Sequence, residues 1–381
     1  MQVSGERSVR LALLGCGWIA GNRLRQIASD ELAEVVGVAD SDPRAIEAVR
    51  RWAPRARSVT RFDELNRRDL DALMISTPSA LHCEQAVTAL RLGIPVFVQK
   101  PLALCAEDVG RLLQLAASSN LPVGTDLCYR HLESAGAVRH QLRSSSIGAP
   151  FRVEGWFHNA YRPGSGWSHD VRLAGGGALM DLGVHLLDLV MWLTDMPLFL
   201  RDACLLRRGR RWVMGQVEDF AAVDLELENG AQVKLATSWD ASTGRDAEIG
   251  LRIYGEQGSL EIRNRSGSFF DFDANLLRGT TAERLAADEG DTWQAGPLRQ
   301  WLARVARGAG YREIPWVHQT MALIDRAYEV ARTCTERPSA VRRKPMITQR
   351  GREPYTYSVE KEFCNERVAY RSRRLRRKPS L

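Results

Sequence analysis

Gly15-Cys16-Gly17-Trp18-Ile19-Ala20 reads GxGxxA between the apolar run 9–14 and the helically spaced stretch 19–28. A strand that passes through such a turn into a helix aims free backbone N–H groups at an anion, and the glycines let a pyrophosphate approach the chain closely. Gly15 suits the tight turn, Gly17 the close approach, and Ala20 the helix–strand packing. Trp18 and Ile19 at the exit of the turn join the candidate cofactor contacts. Asp40, twenty residues beyond Ala20 at the end of a second β-rich run, suits the hydroxyls of an adenosine ribose. Its charge favours NAD. A 2′-phosphate would meet that charge unfavourably, although Arg44, Arg50 and Arg51 follow closely and leave NADP open. A glycine turn without a ligand is the alternative.

A second constellation lies in GGGALMDLGVHLLDLVMWL, where Asp181 and His185 are four residues apart. On a regular helix that spacing predicts one shared face, with Cβ atoms about 6 Å apart, and Asp188 one turn further along it. Oxidising an alcohol by hydride transfer leaves a hydroxyl proton to be removed, which calls for a base near neutrality. His185 suits that general acid/base task, and Asp181 would then position substrate and stabilise the imidazolium. The competing reading is a satisfied core histidine, with Asp181 capping the helix that follows Gly175–Gly177. No third ligand stands out beside the pair, so no metal is expected.

The elements around these residues follow from periodicity. Apolar runs at 9–14, 34–39, 72–76 and 95–98, with a further start at 122–124, alternate with helical stretches at 19–28, 43–52, 82–92 and 107–118. Such alternation predicts a parallel sheet covered by helices. Thr77 and Pro78 end the third strand, where ligands bind such sheets, and His82 opens the next helix; cofactor contact and simple capping are both open for them. After about residue 128 the stretches 151–158, 218–228 and 231–239 alternate strictly, the last two joined by Asn229–Gly230, a strong hairpin signal. The fold class expected is α/β, with an α+β second domain built on a mostly antiparallel sheet. The boundaries expected are a dinucleotide-binding domain over 8–127, a substrate and oligomerisation domain over 128–316, a helix over 317–336 packing back on the body, and a basic extension over 337–381.

Taken with the fingerprint, ISTPSALHCEQAVTALRLGIPVFVQKPLAL and GGGALMDLGVHLLDLVMWL resemble the glucose–fructose oxidoreductase / inositol dehydrogenase / rhizopine-catabolism (Gfo/Idh/MocA) family over about residues 8–335. The resemblance implies a Rossmann domain, a C-terminal domain with an open sheet often used for homo-oligomerisation, and NAD(P)-dependent chemistry on a sugar or polyol. It places Lys100 at the lysine of the family's Glu-Lys-Pro motif and Asp181 and His185 in its Asp-x-x-x-His motif. Lys100 would then act as a cation bonded to the reacting oxygen and the nicotinamide ribose. It further implies that Tyr129, Arg130 and Trp167 lie near substrate or nicotinamide, with plain core as the other reading of Trp167. Gln99 departs from the motif, putting a neutral amide where a carboxylate usually neighbours the lysine. Either the ammonium is less well supported here or another acid takes that place.

The net charge of +7 does not describe the body. From Arg337 onward fourteen Lys/Arg face four Glu, a net of +10, which leaves −3 for the first 336 residues. A nucleic-acid partner is therefore not expected, and the basic extension reads as a solvated tail. The seven cysteines are scattered without metal or disulfide spacing, as suits reduced thiols, and no long apolar span is evident, so a cytoplasmic location is expected. Two alternatives share the scaffold: redox-assisted glycoside hydrolysis by transient oxidation, and a sugar- or NAD-sensing regulator without turnover.

Overall fold

The short apolar runs of the first half cannot satisfy their backbone groups alone, and in the computed structural model they pair into one sheet. The structure describes residues 8–335 apart from 29, 31, 60–63, 65–66, 165 and 291–294. The basic extension and Cys364 lie outside the described residues. Strands β1 (Val9–Leu14), β2 (Ala33–Ala39), β3 (Arg57–Val59), β4 (Ala72–Ile75), β5 (Val96–Val98) and β6 (Val123–Thr125) run in the order β3-β2-β1-β4-β5-β6, all parallel. Helices α1 (Trp18–Ile27), α2 (Pro43–Arg50), α3 (His82–Arg91) and α4 (Ala106–Ser118) make the crossovers. β1 and β4, at the centre, are almost wholly buried, as strands covered on both faces must be. The order reverses between β1 and β4, which puts the ligand crevice of such a sheet at their carboxyl ends.

Helix α5 (Glu133–Arg143) leads into a second sheet of nine strands. These are β7 (Pro150–Asn159), β8 (Leu198–Arg207), β9 (Arg210–Arg211), β10 (Phe220–Leu227), β11 (Gln232–Ser238), β12 (Ala247–Gly255), β13 (Gly258–Asn264), β14 (Phe272–Arg278) and β15 (Thr281–Asp288). Their order is β15-β14-β13-β12-β7-β11-β10-β8-β9, antiparallel except for the β7–β11 pair. The Asn229–Gly230 signal joins β10 to β11, with Gly230 at φ +86°, a conformation that costs glycine little. β10 buries alternate residues, so one sheet face meets the core.

Between α6 (Val171–Ala174) and α7 (Val184–Thr194) the chain makes one π-helical turn, Leu179–Gly183. By length and mean hydropathy of 1.4 the stretch Val171–Thr194 would pass for a membrane span, yet 83% of its most apolar window is buried inside the protein. It is the central core segment of this half. Helix α8 (Gly296–Ala306) differs from the expected boundary at residue 127. It packs on the first sheet, Trp301 lying 5.7 Å from Phe97 between ring centroids, and Arg299 pairs with Asp30 at 2.7 Å. Helix α9 (Val317–Thr335) contacts α4, α7 and β8, tying the two sheets together.

Candidate active site

The turn from β1 to α1 is shaped by what a side chain would strike. Gly15 has φ +84°, and a Cβ there would lie 2.5 Å from the Ser76 carbonyl group at the end of β4. A Cβ on Gly17 would meet nothing within 4 Å. Gly17 is also the N-cap of α1 and supplies no side-chain acceptor, so the helix N-terminus has no side-chain cap. Open space over uncapped N–H groups fits a pyrophosphate. Asp40 holds this turn from the side: Oδ2 accepts the Cys16 N–H at 2.7 Å and Oδ1 the Asp42 N–H at 2.8 Å. Its remaining lone pairs are available to ribose hydroxyls. Arg44 pairs with Asp42 at 3.2 Å, Arg50 with Glu47 at 3.4 Å, and Arg51 stacks on Trp52 at 5.1 Å, so each of the three arginines has a partner other than Asp40. Trp18 is 74% exposed beside Gly17, while Ile19 is half-buried. Burial, followed by the charge of Asp40, pushes the Cys16 thiol up to about 12, which makes it inert.

The crevice beyond β4 and β5 carries Lys100. Its Nζ donates to Asp181 Oδ1 at 2.6 Å and to the Asp181 carbonyl at 2.7 Å, and Trp239 Nε1 donates to Asp181 Oδ2 at 3.2 Å. An ammonium has three N–H donors, so one remains for a reacting oxygen. The segment carrying Lys100 is fixed by His82, which is only 1% exposed. The His82 ring nitrogens lie 2.8 Å from the Pro101 and Thr77 carbonyl oxygens, and the Lys100–Pro101 peptide is cis. Its nitrogens face main-chain carbonyls, so it joins the segments that follow β4 and β5. Thr77, whose Oγ1 donates to Gln85 at 2.7 Å, and Pro78 remain half-buried at the crevice edge.

His185 approaches from the second half in a different environment. It is 9% exposed, Nδ1 is buried without a hydrogen-bond partner among the described residues, and the ring packs edge-on to Tyr129 at 5.0 Å and near Phe157 at 6.4 Å. Burial first, then the positive charges of Lys100 and Arg23, hold the imidazole well below the usual histidine value. Both effects favour the uncharged ring. Asp181 and His185 are not hydrogen-bonded to each other among the described residues. The π-helical turn Leu179–Gly183 breaks the regular helical spacing, Asp181 turns to Lys100, and the charges acting on His185 are both positive. Asp188 is likewise claimed elsewhere: Arg130 Nε donates to its Oδ2 at 2.7 Å and Nη2 to its Oδ1. Arg130 Nη2 also donates to the Pro315 carbonyl at 2.7 Å, so its guanidinium clamps α7 to the segment before α9. Trp167, 37% exposed, is not core.

Three further residues were invisible to spacing arguments. Glu218, fully buried, accepts the N–H groups of Gly177 and Leu179, each at 2.9 Å, and the Tyr328 hydroxyl at 2.9 Å. A Cβ on Gly177 would lie 1.8 Å from the Glu218 carbonyl oxygen and one on Gly176 1.9 Å from the Tyr328 hydroxyl, which is why this run is glycine. Burial lifts the Glu218 carboxyl to about 7 despite the hydrogen bonds it accepts. Gln99 finds its acid in Asp126: Gln99 Nε2 donates to Asp126 Oδ2, which also pairs with Arg23 at 2.7 Å, Asp126 being 1% exposed. One carboxylate thus serves both Gln99 and α1. The only Asp126-like signal in sequence is an acid at a strand end, and nothing local ties it to Gln99. Among the described residues no three His, Cys, Asp or Glu gather as metal ligands.

A parallel sheet with an uncapped glycine turn and a lysine held just beyond the carboxyl end of a neighbouring strand is the architecture of a dinucleotide-binding oxidoreductase. Residues 9–126 match the oxidoreductase family with NAD-binding Rossmann fold, and 136–261 match the GFO/IDH/MocA C-terminal domain. The chain belongs to the GFO/IDH/MocA oxidoreductase family. It is 32% identical over 211 residues to a 1,5-anhydro-D-fructose reductase of Ensifer adhaerens, a match spanning 55% of this chain and 62% of that relative. It is 30% identical over 315 residues to a dTDP-3,4-didehydro-2,6-dideoxy-alpha-D-glucose 3-reductase of Streptomyces violaceoruber, covering 80% and 88%. In fold it is similar to the 3-ketoreductase KijD10 of Actinomadura kijaniata, solved with NADP and TDP-benzene, at TM-score 0.74, 22% identity and coverage of 85% and 98%. It is also similar to GenD2 from gentamicin A biosynthesis, solved with NAD, at TM-score 0.72, 22% identity and coverage of 87% and 97%.

Proposed function

We propose that the chain oxidises or reduces a hydroxyl-bearing carbon of a sugar, polyol or sugar derivative with NAD. The observation that carries this reading is Lys100 held by Asp181 just beyond the carboxyl end of β5, with a buried His185 close enough to feel its charge. NAD, when bound, supplies the hydride acceptor. Gly15, Gly17 and the α1 N-terminus would hold its pyrophosphate, with Trp18 and Ile19 alongside, and Asp40 its ribose. In the oxidative direction His185 takes the hydroxyl proton, for which its neutral state is required, and gives it back in the reductive one. Lys100 donates its remaining N–H to the reacting oxygen and stabilises charge that develops there. Asp181 orients Lys100 and is itself fixed by Trp239. Tyr129 walls the His185 side, and Trp167 stands at the surface before the glycine run as a substrate contact.

The relatives named above act on sugar derivatives, and Asp40 favours NAD over NADP. We read the protein as a cytoplasmic homo-oligomer joined through the nine-stranded sheet, on the strength of its scattered thiols and an open sheet face. Nicotinamide absorbance should change when purified protein meets NAD and a panel of polyols, sugars and nucleotide sugars, with NADP poorer by about tenfold or more from the charge of Asp40. Silence in both directions despite NAD binding would overturn the reading. Cleavage of a glycoside without net NAD reduction would replace it with hydrolysis by transient oxidation.

A further inference from the structure

Trp239, which fixes Asp181, also lines a surface cleft of about 600 Å³. That lies within the roughly 300–1,000 Å³ of small-molecule sites. Its walls come from distant parts of the chain. Arg162 follows β7, while Arg207 and Arg208 form the tip where β8 turns into β9. Arg162 is already matched: Nη2 reaches Asp219 Oδ2 at 2.7 Å and Nε donates to Asp240. The Asp219 carboxylate also accepts the Arg208 backbone N–H at 2.9 and 3.0 Å, which pins the hairpin tip against the cleft. With Asp219 and Asp240 so committed, the guanidinium groups of Arg207 and Arg208 have no ion-pair partner among the described residues. Arg210 and Arg211 extend the same exposed positive run.

We propose that this cleft binds a phosphoryl group carried by the substrate, as in a sugar phosphate or a nucleoside-diphosphate sugar, with its oxygens on Arg207 and Arg208. Planar guanidinium forks match phosphate oxygens in pairs, and an anchored backbone lowers the cost of ordering them. Charges on an edge strand such as β9 also discourage strand pairing. That role needs neither a cleft nor the Asp219 anchor. Trp239 both lines the cleft and donates to Asp181, so a single residue links the cleft to the Lys100–Asp181 pair. That the phosphoryl group belongs to a substrate rests on the oxidoreductase reading.

The test is calorimetric titration of the full chain with inorganic pyrophosphate in saturating NAD, which keeps the glycine turn from competing for the probe. Wild type is compared with Arg207→Gln/Arg208→Gln and with Arg284→Gln on the opposite edge strand, all with matched thermal midpoints. Saturable binding in wild type and Arg284→Gln, weakened about tenfold or more in the double variant, is the expected result. Equal affinity in all three, or no binding, overturns the proposal. A hexose 6-phosphate and a UDP-hexose are then offered as competitors. The one that displaces pyrophosphate at lower concentration identifies the source of the phosphoryl group, and displacement by neither overturns the site. Arginine-dependent binding in a protein without any turnover keeps the cleft and sinks the oxidoreductase reading. Turnover of a neutral sugar without pyrophosphate binding does the reverse.

Discussion

Two glycine clusters, Gly15–Gly17 before α1 and Gly175–Gly177 before the π-helical turn, look alike in sequence and are used in opposite ways. At the first, a side chain on Gly17 would enter open space, and the helix N-terminus carries no side-chain cap. At the second, the protein fills the space itself: Glu218 accepts the Gly177 and Leu179 N–H groups, and its own backbone lies where a Gly177 Cβ would go. The first cluster commits its Gly15 and Cys16 N–H groups to Ala39 and Asp40 but leaves the α1 N-terminus without a side-chain cap, whereas the second spends its donors on an internal carboxylate beside the turn that carries Asp181. A glycine run therefore signals close approach but does not say of what.

Gly177→Ala should break the second cluster most severely. With backbone 1.8 Å away and nowhere to yield, we expect a loss of about 3 kcal/mol or more, read as a lowered denaturation midpoint or failure to express as soluble protein. The pH dependence of Glu218 follows next. Its folded-state value of about 7 lies above the ordinary 4.5, so the folded form binds more protons between them. Stability from this group is present below pH 4.5 and lost as pH rises through 7, by at most about 3 kcal/mol. Denaturant titrations at pH 5 and 8 should show that loss in wild type and a flatter profile in Glu218→Gln. Equal slopes would contradict the assignment.

Gln99→Glu would put a second carboxylate against buried Asp126 with one arginine to share. We expect roughly 1–3 kcal/mol of destabilisation, recovered in part by adding Asp126→Asn, whereas independent effects would refute the shared-acid account. The smallest stability effect belongs to Gly17→Ala, within about 0.5 kcal/mol. Its NAD affinity should nonetheless fall about tenfold by calorimetry, because the new methyl group occupies the approach of the pyrophosphate. Unchanged affinity would remove the contrast between the clusters.

What was legible in the sequence was local. Gly15, Gly17 and Asp40 lie on consecutive elements whose periodicity alone orders them, and the Asn229–Gly230 hairpin carries its own turn chemistry. Lys100 and His185 were found through motifs, but their surroundings were not. The π-helical turn at Leu179–Gly183 cannot be told from a regular helix by apolar spacing, and nothing local ties Asp181 to Lys100. Asp126, Glu218, Trp239 and Tyr328 reach their partners only through tertiary contacts, as does α8, whose return to the first sheet no composition change announces. The partners of Arg130 and His82, the Asp188 carboxylate and the Thr77, Pro101 and Pro315 carbonyls, likewise come only from tertiary contacts.

The central claim is that Lys100 and His185 act on substrate while the glycine turn holds NAD independently of them. Its most direct test measures, on a substrate found in the panel, NAD affinity and turnover of Lys100→Ala and His185→Ala beside wild type. NAD binding within about threefold of wild type with kcat reduced by about 100-fold or more is the predicted result, the usual scale for loss of a proton-transfer or charge-stabilising group. Near-normal turnover in either variant would contradict it.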